Sequence, residues 1–306
     1  VRFAVAILAG VAATVAFAPQ AAAQSIEPRL FSNAPVGMNF VISGYTHSSG
    51  DVLLDPSVPL EDASIRAHTA FFAYARSLAF AGRSAQIQAV LPYAWLSGHA
   101  TFEPTGELLS GDVNGAGDPS VRFAWNLAGA PALTFTEFGS YRQRTVFGVA
   151  LQVTAPLGQY DGGRLVNIGT NRWSFKPEAG FSKAVGKFLL EGTGAATLFT
   201  DNTDYLGGQQ RSQDPIYSVQ GHVIYVFRAA LWAALDVTWY TGGRTTVDGV
   251  ENDDRLDNSR AGLTMAVPIN RDNSIKTYVS NGVSTRTGGD FVLAGIGWQY
   301  HWGGGY

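Results

Sequence analysis

Apolar and polar residues alternate along most of this chain, and helical spacing is hard to find. In "RSAQIQAVLPYAW" Ala85, Ile87, Ala89, Leu91, Tyr93 and Trp95 fall on one face, opposite Ser84, Gln86 and Gln88. "DPSVRFAWNL" sets Val121, Phe123, Trp125 and Leu127 against Asp118, Ser120, Arg122 and Asn126. "RWSFKPEAGFS" and "IYSVQGHVIYVF" repeat the pattern, with Arg172, Lys176 and Glu178 on one polar face and Ser218, Gln220 and His222 on the other. Successive side chains of a strand point to opposite sides, so each stretch reads as a strand with one greasy and one hydrogen-bonding face. The closing "GDFVLAGIGWQYHW" has an apolar face that ends in Trp298, Tyr300 and Trp302.

Further segments at 37–46, 65–79, 145–155, 188–200, 230–241, 258–268 and 273–282 bring the expected total to about twelve strands, each near the ~9 to 11 residues that cross a bilayer at a tilt. Short links near Gly82, Gly186, Arg228 and Arg271 alternate with long polar ones such as "PLGQYDGGRLVNIGTN" and "GGRTTVDGVENDDRLD". Tight turns at one end and long loops at the other predict an all-β, transmembrane, up-and-down antiparallel barrel. The link 128–144 is too long for a tight turn and predicts a small extra element. A soluble β-sandwich would show the same alternation with its apolar faces turned inward.

Composition favours lipid outside. Charged residues are 15% and aromatics 12%, with 36 glycines; soluble domains carry about 25% charge. Trp95, Trp173, Trp239, Trp298 and Trp302 stand near the ends of apolar faces, where interfacial rings belong. The opening "VRFAVAILAGVAATVAFAPQAAAQ" has the grammar of a secretory signal, predicting cleavage after Ala23. The expected organisation is signal 1–23, an extended periplasmic lead 24–36, and a barrel 37–306. A net charge of −3 gives no basic footprint for nucleic acid, and the absence of cysteine removes disulfides and thiolate metal sites.

At this point "GDPSVRFAWNL", "LQVTAPLGQYDGGRLVNIGTNRWSFKPEAGFS", "LEGTGAATLFTDNTDYLGG" and "WYTGGRTTVDGVENDDRLDNSRAGLTMAVPINRDNSIKTYVSNGV" resemble the outer-membrane transporter family named for the meta-pathway of phenol degradation. The resemblance covers nearly the whole mature chain in order, and GTNRWSFKPE and GGRTTVDG are its most specific parts. It implies an outer-membrane barrel of a Gram-negative bacterium that admits hydrophobic or aromatic compounds. Membrane lipid, lipopolysaccharide, the barrel assembly machinery and a small solute are its implied partners, without a cofactor.

On the barrel reading the polar faces line the lumen. They bring Arg66, Arg76, Arg122, Arg172, Lys176, Arg260 and Lys276 against Glu178, Glu191, Asp118 and Asp236, because a charge on the lipid face costs about 2–4 kcal/mol at the midplane for Arg or Lys. That wall either biases permeation toward anions such as carboxylates or braces the barrel with ion pairs. Twelve strands give a backbone radius on the order of 12 Å, suited to single small molecules. For a lipid-modifying enzyme, Ser218 with His68, His222 or His301 are the candidates, but no G-x-S-x-G elbow or H-E-x-x-H spacing is present. Asp248, Glu251, Asp253, Asp254 and Asp257 form an acidic loop run without EF-hand spacing.

Overall fold

The structure, a computed structural model, describes residues 26–53, 60–102, 106–164 and 166–304; the signal expected at 1–23 lies outside them. In chain order the strands are β1 (Met38–Leu53), β2 (Leu60–Phe80), β3 (Arg83–Phe102), β4 (Glu107–Ala116), β5 (Ser120–Ala128), β6 (Thr145–Thr154), β7 (Ser174–Val185), β8 (Phe188–Phe199) and β9 (Asn202–Tyr205). They continue as β10 (Gln209–Gln213), β11 (Ile216–Arg228), β12 (Leu231–Gly242), β13 (Thr245–Val247), β14 (Val250–Glu251), β15 (Leu256–Pro268), β16 (Asn273–Ser284) and β17 (Gly288–Gly303). A single turn of helix, α1 (Phe135–Phe138), fills the link between β5 and β6.

Twelve strands close a ring in the order β1, β2, β3, β5, β6, β7, β8, β11, β12, β15, β16, β17, with β17 back on β1 along Met38–Leu53. All ring pairings are antiparallel, as the alternating loop lengths require. Closure leaves no unpaired edge, which a spanning sheet needs where no water can satisfy its backbone. The first strands run well past their expected ends, because outside the lipid a strand needs no apolar face to advertise it. β4 folds back on the upper part of β3, and β9, β10, β13 and β14 form a separate four-stranded sheet in the loops at the same end.

The two faces separate cleanly. Along β12, Trp232, Ala234, Asp236, Thr238 and Tyr240 are buried, while Leu235, Val237 and Trp239 are 59%, 54% and 46% exposed. This inverts a soluble protein, since the bare face is the apolar one. The five tryptophans expected at the ends of apolar faces are all on the outer face, with Trp95, Trp173 and Trp239 toward the long loops and Trp298 and Trp302 toward the tight turns. Two of them have their polar edges served: Trp239 Nε1 donates to Asp257 at 2.9 Å and Trp298 Nε1 to Asn273 at 3.0 Å. An apolar ring with a hydrogen-bonded tip fits the headgroup level.

The small element expected in 128–144 is α1. Thr134 and Glu137 make a capping box, the Thr134 amide donating to Glu137 Oε2 at 2.8 Å, and these bonds hold the Glu137 carboxyl below its usual range.

The lead expected to lie extended in the periplasm instead occupies the barrel interior over residues 26–36. The Arg29 amide donates to Glu191 Oε2 at 2.6 Å, the Glu27 amide to Gln220 Oε1 at 3.2 Å, and the Val36 amide to Leu133 O at 2.8 Å. Phe31 is buried with Ala124, Ala130, Val146 and Ala150. It fits because Gly148 and Gly180 present no Cβ: at Gly148 one would overlap the Phe31 ring. A main chain that enters a polar lumen must find acceptors for its amides, and the inward carboxylate and carboxamide supply them.

Candidate functional site

The interior wall is built from inward positions of β5, β7, β8, β11, β12 and β15. Arg122 on β5 lies 2.8 Å from Glu178 on β7 and 2.8 Å from Glu27 of the inserted lead, and Lys176 lies 3.1 Å from Glu178. Two cations and two carboxylates so form one chain of contacts, nearly all of it buried. Glu191 accepts from the Arg29 amide and from Ser182 Oγ at 2.7 Å. Arg260 is 2% exposed, donates to Ser280 Oγ at 3.1 Å and to Phe291 O at 3.0 Å, and lies over the Phe291 ring at 4.0 Å. Most inward charges are therefore engaged with one another or with the wall.

Lys276 differs. Register places it opposite Gly297 and Ala266 on the inner face, yet its side chain is exposed, within electrostatic reach of Glu27 and Asp236 but with no hydrogen bond or contact ion pair among the described residues. An inward side chain that keeps its solvent contact marks lumen that is not filled.

Arg66 and Arg76 depart from the expected lumen wall. They pair with Ser49 and Asn39 on the same face as Tyr74 and Phe72, and both are exposed, while Ala73, Ala75 and Ser77 take the inner face. Ten residues of a tilted strand rise about 26 Å, close to the ~25 Å height of an apolar band. The two arginines thus flank the band at its rims, where long cations reach headgroups at little cost.

The Ser and His candidates do not assemble. His222 Nδ1 lies 2.7 Å from Asp236 Oδ1, and Asp236 Oδ2 accepts from Thr264 Oγ1 at 2.6 Å. Ser218 stands four residues up the same face, roughly 13 Å away at strand rise. His68 lies on the outer face beside His47, with their Nδ1 atoms 3.4 Å apart, and His301 pairs with Phe40. The acidic loop run disperses to separate partners: Asp248 to the Gln210 amide, Glu251 to Arg244, Asp253 to Arg286, Asp254 to Thr245 and Asp257 to Trp239. Among the described residues no group of three His, Asp or Glu side chains could hold a metal.

At the mouth, in the loop ahead of β7, Arg172 is 3% exposed, and Arg211 on β10 is 6% exposed. Arg172 donates to Gln213 Oε1 and stacks over the Phe199 ring at 4.3 Å; Arg211 stacks over Tyr205 at 5.2 Å. Burial, with the Arg211 charge adding to it, pushes Arg172 down to about 9, and burial pushes Arg211 down as well. Arg211 was not a sequence candidate, since "GGQQRSQDP" carries no alternation to show which way it points. The signal available was a cation in a loop rich in glycine and amides, which fits a solvated loop equally well.

The family model described as "Putative MetA-pathway of phenol degradation" matches residues 46–299, and the chain belongs to that family. The COG4313 outer membrane channel from Pseudomonas putida F1 is 19% identical, with 91% of this chain and 100% of that one covered at a TM-score of 0.77. The transport unit of the autotransporter AIDA-I from Escherichia coli is 11% identical, covering 92% of this chain and 95% of that one at 0.53. Both likenesses are of fold. No curated protein matches this sequence.

Proposed function

We propose that this member of the phenol-degradation MetA family is an outer-membrane channel for small hydrophobic or aromatic compounds, anionic ones included. One observation carries the reading: a closed ring with an apolar, tryptophan-rimmed outside encloses a polar interior in which Lys276 keeps solvent contact. An apolar exterior of that height belongs in lipid, and a hydrated interior is a route. The family's description supports aromatic compounds as the solute class. Membrane lipid around the band, lipopolysaccharide at the Arg66 rim and the barrel assembly machinery complete the partners of this reading. The separation of Ser218 from His222 weighs against a lipid-modifying enzyme.

A second reading, a structural barrel without transport, is favoured by the Glu27–Arg122–Glu178–Lys176 contacts and by the lead inside the lumen, both of which narrow the path. Single-channel recording of the purified protein in planar bilayers separates the two. The channel reading expects discrete current steps that benzoate or phenol reduces; a structural barrel gives neither steps nor block.

A further inference from the structure

Arg172 and Arg211 are two buried cations with no contact ion pair among the described residues. No carboxylate among the described residues lies within 4 Å of either, although three stand nearby, and each of those is committed elsewhere. Asp118 accepts from the Gly158 amide at 2.8 Å, the Thr170 amide at 2.8 Å and Thr170 Oγ1 at 2.7 Å. Asp254 accepts from the Thr245 amide and hydroxyl at 2.8 and 2.6 Å, and Asp201 from Gln210 Nε2 at 2.6 Å. Arg172 Nη1 and Arg211 Nε are buried donors with no protein acceptor among the described residues. Buried charges are ordinarily paired and buried donors ordinarily satisfied, so this arrangement is unfavourable as it stands.

Aromatic rings stand against both guanidinium groups. Phe199 and Tyr205 cover faces of the two guanidinium groups. A ring over the face leaves the in-plane N–H groups free, and those are the groups that grip a carboxylate, two parallel hydrogen bonds at a time. Tyr160 adds a phenol at the same place: its hydroxyl donates to Asp204 O at 2.9 Å, accepts from Asn202 Nδ2 at 2.8 Å and lies within electrostatic reach of both arginines. The site is thus cationic at its centre and aromatic around it.

We infer that Arg172 and Arg211 form a binding site at the barrel mouth for the carboxylate of a small aromatic acid, with the rings of Phe199, Tyr205 and Tyr160 around it. The inference rests on the channel reading for the aromatic class of the ligand; the anionic class comes from the arginine pair alone. Recognition is of charge and planarity together, so a neutral isostere of the acid is rejected where a non-selective greasy mouth would accept it.

Calorimetry on the full-length protein in a zwitterionic detergent tests this with sodium benzoate, benzamide and sodium phosphate as probes. Benzoate is expected to bind at least tenfold more tightly than either of the others. Arg211→Gln and Arg172→Gln should each weaken benzoate at least tenfold and change benzamide less than twofold. Equal affinity for benzoate and benzamide overturns the site, as does an Arg211→Gln protein that binds benzoate unchanged. Phosphate binding as tightly as benzoate overturns the aromatic-acid class. The three-probe comparison uses the unaltered chain, so it decides even where a variant fails to fold. Current steps without benzoate preference would sink this site and leave the channel reading intact; benzoate binding to a barrel that passes no current would do the reverse.

Discussion

Arg122 is the residue on which the lumen charge chain turns. It contacts Glu178 and Glu27 at 2.8 Å each, and so ties β5 to β7 and the wall to the inserted lead. Removing it takes the 2.8 Å cation contact from Glu27 and leaves Glu178 its contact with Lys176. A buried polar group stripped of its partner costs about 1–3 kcal/mol. Arg122→Met should therefore lower the temperature at which the barrel loses its compact migration on gels, by several degrees. The double variant with Glu178→Gln should lose less than the two single losses added, because residues in one network couple. Strict additivity would show that Arg122 and Glu178 do not act as a pair.

At the scale of the element, the strands differ in how openly they declare a face. On β15 the outward Leu263 is 57% exposed and the next residue, Thr264, is buried and hydrogen-bonded to Asp236. Leu263→Arg puts a charge into the lipid-facing band and is expected to destabilise folding into bilayers by about 2–4 kcal/mol near the midplane. Reversible denaturant titration in lipid vesicles measures this, and a variant as stable as the parent would show that the face does not meet lipid. β5, β7 and β11 were legible in the sequence because each sets an apolar outer face against an inner face that carries hydrogen-bonding or charged residues, whereas β12 was less sharp because Trp232 and Ala234 stand on its inner face beside Asp236 and Thr238. β2 was not: Phe71 and Phe72 lie on opposite faces, alanines occur on both, and its two arginines stand at the rims where either face tolerates them. The lead was misread for a different reason. The stretch 26–33, "IEPRLFSN", has no period, since it is held by scattered single contacts to different strands and loops, and its trace in the wall is the missing Cβ at positions such as Gly148 and Gly180. The arginine pair at the mouth was half visible, because Arg172 lies in phase with β7 while Arg211 reaches it through a separate sheet.

For the whole molecule, the closed ring fixes which loops share an end. The loops holding Asp161, Asp204 and Asp248 leave from one rim, and the turns at Gly82, Gly186 and Asp272 from the other. In barrels of this type the long loops face the cell exterior and the short turns the periplasm. A chain without native cysteine allows a direct test. The choice of site matters, because Gly186 and Asp248 have φ of 62° and 47°, a region that strains most side chains, whereas Thr203, Val250, Lys187 and Arg271 are exposed positions free of that constraint. An impermeant maleimide applied to intact cells is expected to label Thr203→Cys and Val250→Cys, and to reach Lys187→Cys and Arg271→Cys only after the outer membrane is opened. The opposite pattern would turn the barrel over and place the arginine pair on the periplasmic side. Labelling of all four without permeabilisation would remove the chain from the membrane altogether. The expected pattern puts Arg172 and Arg211 at the outer mouth, where an incoming solute meets them before the ion-paired interior.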